Sequence, residues 1–414
     1  MKRFYGILTL AVLCLSVVSL FSFTVNAQQV GSWPMFHSDV AHTGYQSGSG
    51  PSTNQTLWVS KINGAIWSSP AVANGVVYIA SGRDVFAMNA TTGTTIWVYP
   101  MGSESFSSPA VANNLVYIGS DDHNIYALNA VSGDLVWKFT TGNVVQSNPT
   151  VSGGIVYVGS SDGNLYALNA SSGLSLWNFT TGGNVISSVA VSNGVIYFGS
   201  YDHKVYALDA LSGVEKWNYT TGGVVESSPV IGDGNVYIGS FDNQTYALNA
   251  GTGALLWKVT TGYEQCVQDS PAFANGVVYT GSAFDNNVYA LDASTGATKW
   301  NYTTGGGIYT APAIVGNIEY VGSLDNKTYA LNAQTGAFLW SFQTGGNLYS
   351  SPAVVNGVAY FGSYDGNVYA VGQNAGTTGS SSSSGLSGII YYLVAIVVLV
   401  VIIAVAVVVI RRRH

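Results

Sequence analysis

The residues that could carry chemistry are few, and most of them recur at a regular interval. Aspartates return about every 40 residues, at Asp122, Asp162, Asp202, Asp242, Asp285, Asp325 and Asp365. Carboxylate oxygens suit hard cations, but each aspartate lies in a predicted turn, where a side chain that caps its own turn is the simpler interpretation. We expect a catalytic group to break a repeat and not to obey it. No metal site is therefore predicted from this series.

The histidines and cysteines show no pattern typical of a metal ligand set or a nucleophile. His37 and His42 lie close to the N-terminus, whereas His123 and His203 occupy equivalent positions of the repeat. Cys266 is the only cysteine outside the first 27 residues. The spacings that would indicate zinc, His-x-x-His, His-x-x-x-His and Cys-x-x-Cys, do not occur. The sequence therefore predicts no catalytic residue.

One position of the repeat does change its chemistry from copy to copy. It precedes a nearly constant Ser-Ser-Pro or Ser-Pro, and its occupants are Trp67, Phe106, Gln146, Ile186, Glu226, Gln268, Tyr309 and Tyr349. The four aromatic residues belong to consecutive copies if the repeats close into a ring, and the polar residues face them. An aromatic wall opposite polar groups is typical of a small-molecule or glycan site. The alternative is that the aromatic side chains only fill the channel of the ring.

The elements that must position these residues follow from the tryptophans. These recur at Trp58, Trp97, Trp137, Trp177, Trp217, Trp257, Trp300 and Trp340, at intervals close to 40 residues. Each interval contains short Val-, Tyr- and Gly-rich segments separated by turn residues, without an apolar stripe of helical period. Four strands in about 40 residues indicate a β-propeller blade. The variable position then precedes the innermost strand, at the mouth of the central channel.

The number of blades follows from the third strand, which usually reads Tyr-Ala-Leu. Eight copies occur, but the last, at Tyr369, has no tryptophan strand after it, and Trp58 has no such strand before it. We therefore predict an all-β, eight-bladed propeller in which the N-terminal strand near residues 56–61 completes the last blade. This closure would leave no free sheet edge at the seam.

The run Ala127-x-Asn129-x-x-x-Gly133-x-x-x-Trp137 resembles the tryptophan-docking motif of PQQ-like (quinoprotein-type) propeller repeats. The resemblance covers roughly residues 31–373, and residues 31–44 are similar to the leader of such surface propellers. It implies that each tryptophan packs between adjacent blades. It also implies a quinone cofactor, but quinoprotein alcohol dehydrogenases have two adjacent cysteines, whereas here Cys266 stands alone. We therefore expect no cofactor, PQQ included. The repeats also resemble the propeller of the lipoprotein in outer-membrane protein assembly, which is a scaffold.

The two ends of the chain predict export and anchoring. Residues 1–27 have the basic start, apolar run and small-residue end of a signal peptide. Residues 28–373 form the ring, and residues 374–388 are a Ser/Gly-rich linker. Residues 389–410 are uncharged and long enough for a transmembrane helix, and residues 411–414 form a basic tail. Because positive charge stays on the cytoplasmic side, the propeller is predicted to be extracellular on a single-pass membrane protein.

The charge of the ring restricts its partners. Residues 28–373 hold 8 basic and 20 acidic residues, a formal charge of 8 − 20 = −12. An acidic surface repels phosphate backbones, so we exclude nucleic acid and expect a monomeric ring. Eight Asn-x-Ser/Thr sequences could carry glycans in an exported domain, although most of them arise from the repeat itself. They begin at Asn54, Asn89, Asn169, Asn178, Asn218, Asn243, Asn301 and Asn326.

Two insertions lengthen the sixth repeat, in residues 263–268 and near Ala283, and both are predicted on the face of the channel mouth. They are either tolerated loop changes or modifications of a functional face. The function predicted from the sequence is a membrane-anchored extracellular propeller that binds a protein or a cell-surface glycan without chemistry. The alternative is an exported, quinone-dependent oxidoreductase.

Overall fold

A computed structural model of the chain describes residues 31–62, 64–262 and 270–373. These residues contain β-strands and turns but no α-helix, so no helix within them could cross a membrane. The predicted signal peptide, linker, transmembrane helix and basic tail lie outside the described residues, as does Gln268. The ring is the part of the prediction that the structure addresses.

The strands form eight separate sheets, seven of four strands and one of five. The N-terminal strands and those of blades 1 to 3 are β1 (Tyr45–Gln46), β2 (Thr56–Lys61), β3 (Ala71–Ala73), β4 (Val76–Ser81), β5 (Asp84–Asn89), β6 (Thr95–Pro100), β7 (Ala110–Ala112), β8 (Leu115–Gly119), β9 (Asn124–Asn129), β10 (Leu135–Thr140), β11 (Thr150–Ser152), β12 (Ile155–Gly159), β13 (Asn164–Asn169) and β14 (Ser175–Thr180). Blades 4 to 6 comprise β15 (Ala190–Ser192), β16 (Val195–Gly199), β17 (Lys204–Asp209), β18 (Glu215–Thr220), β19 (Val230–Gly232), β20 (Asn235–Ser240), β21 (Gln244–Asn249), β22 (Leu255–Thr260), β23 (Ala272–Ala274), β24 (Val277–Gly281), β25 (Asn287–Asp292) and β26 (Thr298–Thr303). Blades 7 and 8 comprise β27 (Ala313–Val315), β28 (Ile318–Ser323), β29 (Lys327–Asn332), β30 (Phe338–Gln343), β31 (Ala353–Val355), β32 (Val358–Gly362) and β33 (Asn367–Gly372).

The eight-bladed ring closes as predicted. Strand β2 pairs antiparallel with β33 and completes the sheet β2-β33-β32-β31. In this pairing Trp58 lies opposite Ala370, just as Trp137 lies opposite Ala127 within blade 2. The N-terminal strand therefore takes the place of an outer strand in the eighth blade with the same register as in the others.

Each tryptophan packs against the next blade, as the resemblance implied. The ring of Trp97 lies over Gly133, where an added Cβ would approach Trp97 Cδ2 to 2.7 Å. Gly133 also has a φ of 79°, which an L-residue rarely adopts. The Trp97 indole donates to the carbonyl of Ala130 in that blade at 3.1 Å, and so does the hydroxyl of Tyr78 at 3.1 Å. The glycine and tryptophan of the repeat are thus two halves of one contact between blades.

The eighth docking site is built differently because blade 8 has no Thr-Gly turn of its own. The carbonyl of Pro51, in the segment before β2, accepts from Trp340 Nε1 at 3.3 Å and from the hydroxyl of Tyr320 at 2.9 Å. The N-terminal segment therefore supplies both the closing strand and the last docking partner. Trp177 differs in another way: it packs over Gly213, but its buried Nε1 has no hydrogen-bond partner.

Candidate functional site

The Ser-Ser-Pro sequence that follows the variable position fixes it in space. In blade 2 the first serine, Ser107, accepts from the backbone N–H of Gly119 in β8 at 3.2 Å and donates to the carbonyl of Ser147 in blade 3 at 3.0 Å. It therefore ties the start of the innermost strand both to its own sheet and to the next one. The near-constancy of these serines across the repeat has this structural cause.

The second serine of each pair forms a belt of hydrogen bonds around the channel. The backbone N–H of the residue at this position donates to the side-chain oxygen of the equivalent residue in the next blade, at 2.6 to 3.2 Å. The successive links are Ser69 to Ser108, Ser108 to Asn148, Asn148 to Ser188, Ser188 to Ser228, Ser228 to Ser270, Ala311 to Ser351, and Ser351 back to Ser69. Ala311 has no side-chain oxygen, so Ser270 cannot make the corresponding bond to blade 7. This belt holds the residues of the mouth at one level.

The structure brings the described members of the variable position together around one cavity of about 420 Å³. Its wall contains Trp67, Phe106, Gln146, Ile186, Glu226, Tyr309 and Tyr349, with the serine belt below them. Phe36, from the N-terminal segment, also lines the cavity. Ligand binding in this cavity stays a prediction, and its volume lies within the range of small-ligand pockets, roughly 300–1,000 Å³.

The aromatic members of the wall form one continuous arc. Trp67 stacks on Tyr349 with ring centroids 4.0 Å apart and an interplanar angle of 29°. Phe106 meets Trp67 edge-on at 5.6 Å on one side, and Tyr309 lies 5.7 Å from Tyr349 on the other. Tyr364 packs edge-on against Trp67 at 5.8 Å from outside the arc. Because Trp67 is still 36% exposed, the arc offers aromatic surface to a ligand.

The polar side of the cavity is held by residues from neighbouring blades. Gln146 Nε2 donates to both carboxylate oxygens of Asp121 at 3.3 Å, and the hydroxyl of Tyr201 donates to Glu226. Partial burial raises the pKa of Asp121 above its ordinary value, an effect that its hydrogen bond from Gln146 opposes. Glu226, in blade 5, therefore lies across the mouth from Trp67, in blade 1. Asp121, in contrast, lies in blade 2 behind Gln146 and outside the cavity lining.

Beyond the mouth cavity the channel is filled by residues 33–46, which we call the plug, and Phe36 of the plug reaches the cavity. Plug carbonyls accept from the middle N–H of the innermost strand in six blades, at 2.6 to 2.9 Å. The pairs are Trp33 with Val72, Pro34 with Val111, Val40 with Val191, Ala41 with Ile231, Thr43 with Phe273, and Gly44 with Ile314. Strand β1, which belongs to the plug, also joins blade 7 as a parallel fifth strand beside β27. The sequence did not predict this contact.

Two histidines lie buried inside the plug. His37 Nδ1 lies 2.9 Å from the carbonyl of His42, and His42 Nε2 lies 3.1 Å from the hydroxyl of Thr150 in blade 3. Burial lowers the pKa of His37 to about 4. Burial, together with the neighbouring His37, lowers the pKa of His42 to about 3. Both rings are therefore neutral at physiological pH and act as polar parts of a buried plug.

Comparison with known proteins agrees with this architecture. Residues 111–318, just over half of the chain, match the family described as "Beta-alanine-activating enzyme, beta-propeller". The chain belongs to this β-propeller family. No curated protein shows significant similarity to it over its sequence.

Solved structures similar to this propeller include proteins with different names and roles. BamB from Moraxella catarrhalis is 20% identical with a TM-score of 0.67, covering 78% of this chain and 100% of BamB. A europium-containing methanol dehydrogenase is 13% identical with a TM-score of 0.71, covering 83% and 98%. The quinohemoprotein alcohol dehydrogenase from Comamonas testosteroni is 16% identical with a TM-score of 0.73, covering 87% and 83%. At these identities the likeness supports a PQQ-like propeller fold and does not separate a binding protein from an enzyme.

The repeated aspartates of this propeller serve its turns. Asp122 accepts from the N–H of Asn124 at 3.0 Å, from the N–H of Gly102 at 2.8 Å and from the hydroxyl of Tyr126. Burial by itself would raise the pKa of Asp122, but these hydrogen bonds outweigh it and lower the pKa. The described residues contain no group of His, Cys, Asp and Glu that could hold a metal ion. The geometry fits the turn-capping interpretation of this series.

The docking position that is usually Asn is Asp in two blades, and each Asp has a cationic neighbour. Asp209 lies 3.4 Å from Lys216, and Asp292 lies 3.1 Å from Lys299. In both cases the lysine follows the aspartate by seven residues, on the outer strand of the same blade. Asn and Asp hold the turn alike through Oδ1, as Asn129 does for Val131 and Ser132.

The predicted glycosylation sites fall on two kinds of surface. Asn178, Asn218 and Asn301 are exposed on the outer strands β14, β18 and β26. Asn54, although exposed, donates through Nδ2 to the carbonyl of Ser341 at 2.9 Å. Glycosylation stays a prediction, and the outer strands offer the most accessible positions for it.

The sequence analysis missed a second variable position beside the mouth. It follows the serine at or just after the end of each second strand and holds Asp121, Tyr201, Phe241, Leu324 and Tyr364, among others. Tyr201, Asp121 and Tyr364 each contact a mouth residue of the next blade. The same signal that revealed the first position, variation inside a constant repeat, could have revealed this one.

Proposed function

We propose that this propeller is a non-catalytic binding module that holds a protein segment or a cell-surface glycan at the mouth of its channel. The supporting observation is the cavity itself. Contacts between blades must repeat because each blade solves the same packing problem, and the docking residues and serine belt do repeat. The residues around the cavity do not, and they divide into an aromatic arc and a polar side. A ligand without eightfold symmetry requires such a division.

Membrane anchoring and an extracellular position belong to the same proposal. Their support is the sequence: residues 1–27, the linker at 374–388, the apolar residues 389–410 and the basic residues 411–414. Protease added to intact cells should cut near Ser380–Ser384 and release a soluble propeller. Recovery of an uncut propeller that becomes sensitive only after lysis would contradict this topology.

The alternative function is an exported oxidoreductase that uses a quinone such as PQQ, and the fold of the similar dehydrogenases is its support. The residues of the cavity do not fit that cofactor. PQQ carries carboxylates, which need cationic or hydrogen-bonding partners, whereas the charged residue among the described lining residues is Glu226. The sequence also lacks the pair of adjacent cysteines expected of such enzymes. We therefore derive no redox step for this chain.

The test compares the full-length chain with a variant that carries both Trp67→Ala and Tyr349→Ala. Surface proteins and an array of glycans are screened for binding to both chains. Stacking of a ligand ring on Trp67 or Tyr349 contributes about 1 kcal/mol beyond the free energy of burying apolar area. We expect the variant to bind its ligand several-fold more weakly. The matched control replaces two exposed apolar residues of the outer turns, Leu174→Ala with Leu211→Ala.

Equal loss of binding in the control variant, or unchanged binding in the mouth variant, would contradict a site at the mouth. The quinone alternative is tested in parallel by titrating PQQ and Ca²⁺ and recording the absorbance of the cofactor. Saturable PQQ binding with oxidation of an alcohol would replace the proposed function by the alternative.

A further inference from the structure

The charge of the mouth cavity has one sign. Among its described lining residues Glu226 carries a formal charge, and none is Lys, Arg or His. Asp121 adds a second carboxylate behind Gln146. The described lining therefore offers a ligand one carboxylate and no cationic side chain.

The aromatic arc suits the same kind of charge. Trp67, Tyr349, Tyr309 and Phe106 form adjoining ring surfaces on one side of a cavity whose other side holds Glu226. The face of an aromatic ring is electron-rich and attracts a cation, most strongly for Trp. A guanidinium or an alkyl-ammonium group in this cavity would have electron-rich rings on one wall and a carboxylate on the opposite wall. Either group would also bury its apolar stem against the arc.

We propose that the mouth cavity binds the basic side chain of an arginine or lysine that is presented by a segment of a partner protein. This inference rests on the proposed function and names its ligand class. Glu226 supplies the carboxylate, Trp67 supplies the principal ring face, and Asp121 adds negative potential through the polar side.

A protein segment fits better than a free amine or a neutral glycan because apolar surface continues beyond the cavity. Tyr364, which is 51% exposed, lies in the second variable position with Tyr201, Phe241 and Leu324. In the longer loop of blade 6, Phe284, which is 50% exposed, likewise precedes the aspartate of the turn. These residues belong to blades 4 to 8 and surround the mouth on the same face. Exposed aromatic residues around a central pocket are typical of protein interfaces. The formal charge of −12 on the ring would also accelerate association with a basic partner.

The experiment measures binding of two short peptides to the full-length chain by isothermal titration calorimetry and ligand-observed NMR. One peptide is acetyl-Gly-Ala-Arg-Ala-Gly-amide, and the other has citrulline, the uncharged isostere of arginine, at its centre. We expect the arginine peptide to bind about tenfold more tightly than the citrulline peptide. Glu226→Gln should remove most of that difference. Glu215→Gln, which makes the same charge change on an exposed outer strand, should leave it intact.

Equal binding of the two peptides, equal effects of Glu226→Gln and Glu215→Gln, or no binding of the arginine peptide up to about 10 mM would each overturn the inference. A neutral chitin tetrasaccharide serves as the third probe. If this sugar binds and Trp67→Ala weakens it while Glu226→Gln does not, the basic-ligand inference fails and the proposed binding function stands. If the screens of the proposed function find no ligand sensitive to Trp67, that function fails as well.

Discussion

The two ends of the central channel show opposite relations between sequence and repeat. At the plugged end, a segment that does not repeat satisfies an array that does: plug carbonyls meet equivalent N–H groups in six blades. At the mouth, equivalent positions of the repeat hold residues that differ, from Trp67 to Glu226. The first arrangement serves stability, because buried backbone groups need partners. The second arrangement is not needed for the packing between blades, because equivalent positions hold different side chains. We therefore place the ligand at the mouth.

The sequence predicted the ring and its closure in detail. The tryptophan period and the missing partners of Trp58 and Tyr369 led to β2 pairing with β33, which the structure confirms. Such features can be predicted because each blade repeats the same contacts, so that many copies of a weak signal agree. The docking of tryptophans onto glycines came from the family resemblance and is confirmed as well.

The plug could not be predicted for the opposite reason. Its contacts use backbone carbonyls, as in the pair Val40 and Val191, and backbone acceptors leave no mark on side-chain pattern. The contact between Trp340 and Pro51, which replaces the docking turn of the other blades, also uses a backbone carbonyl and was not predicted for the same reason. The mouth lies between these cases: the sequence selected its residues, but only the coordinates show that Trp67 stacks on Tyr349 or that Tyr201 holds Glu226.

The largest effect in the comparison between the plug and the mouth is expected from removing N-terminal segments. Deleting residues 31–50 should remove the plug and, with it, the six hydrogen bonds that its carbonyls accept from innermost strands. These six bonds alone represent about 6 kcal/mol if each contributes about 1 kcal/mol. Deleting residues 31–61 also removes the closing strand β2 and exposes the edge of β33. We expect the first variant to unfold at a much lower denaturant concentration and the second not to fold at all.

The stability of both deletion variants is measured by circular dichroism during urea unfolding. If the variant that lacks residues 31–50 unfolds at the same urea concentration as the intact chain, the plug does not contribute to the free energy of unfolding of the propeller. If the variant that lacks residues 31–61 also folds cooperatively, the closure through β2 is dispensable and the contrast between the two ends fails.

A smaller loss of stability is expected when the pH is lowered, because acid acts on the plug through protonation of His37 and His42. Their folded pKa values, about 4 and about 3, lie below the ordinary value of 6.5. Stability is therefore complete above pH 6.5 and falls as pH decreases toward the folded values, since the unfolded chain binds protons that the folded chain does not. Each histidine contributes a slope of about 1.4 kcal/mol per pH unit.

The measurement is the free energy of unfolding by urea between pH 7 and pH 4.5, a window above the ordinary pKa of aspartate. Replacing one plug histidine, as in His42→Gln, should reduce the slope by about half whatever it does to stability at pH 7. The matched control is His123→Gln with His203→Gln, which removes two exposed histidines and leaves the plug intact. Equal slopes in both variants would show that the plug histidines are not what acid acts on.

The smallest effect on stability is expected at the mouth. The variant with Trp67→Ala and Tyr349→Ala loses the stacked pair at 4.0 Å, but both rings are partly exposed and the serine belt below them does not use their side chains. We therefore expect a loss of no more than about 2 kcal/mol, well below the 3–5 kcal/mol that is typical of deleting one fully buried aromatic residue. Urea unfolding at pH 7 measures it. A loss as large as that caused by removing the plug would mean that the aromatic arc fills the channel as a second plug. The ligand site would then have to be sought on the outer strands, where the repeat also leaves apolar residues exposed.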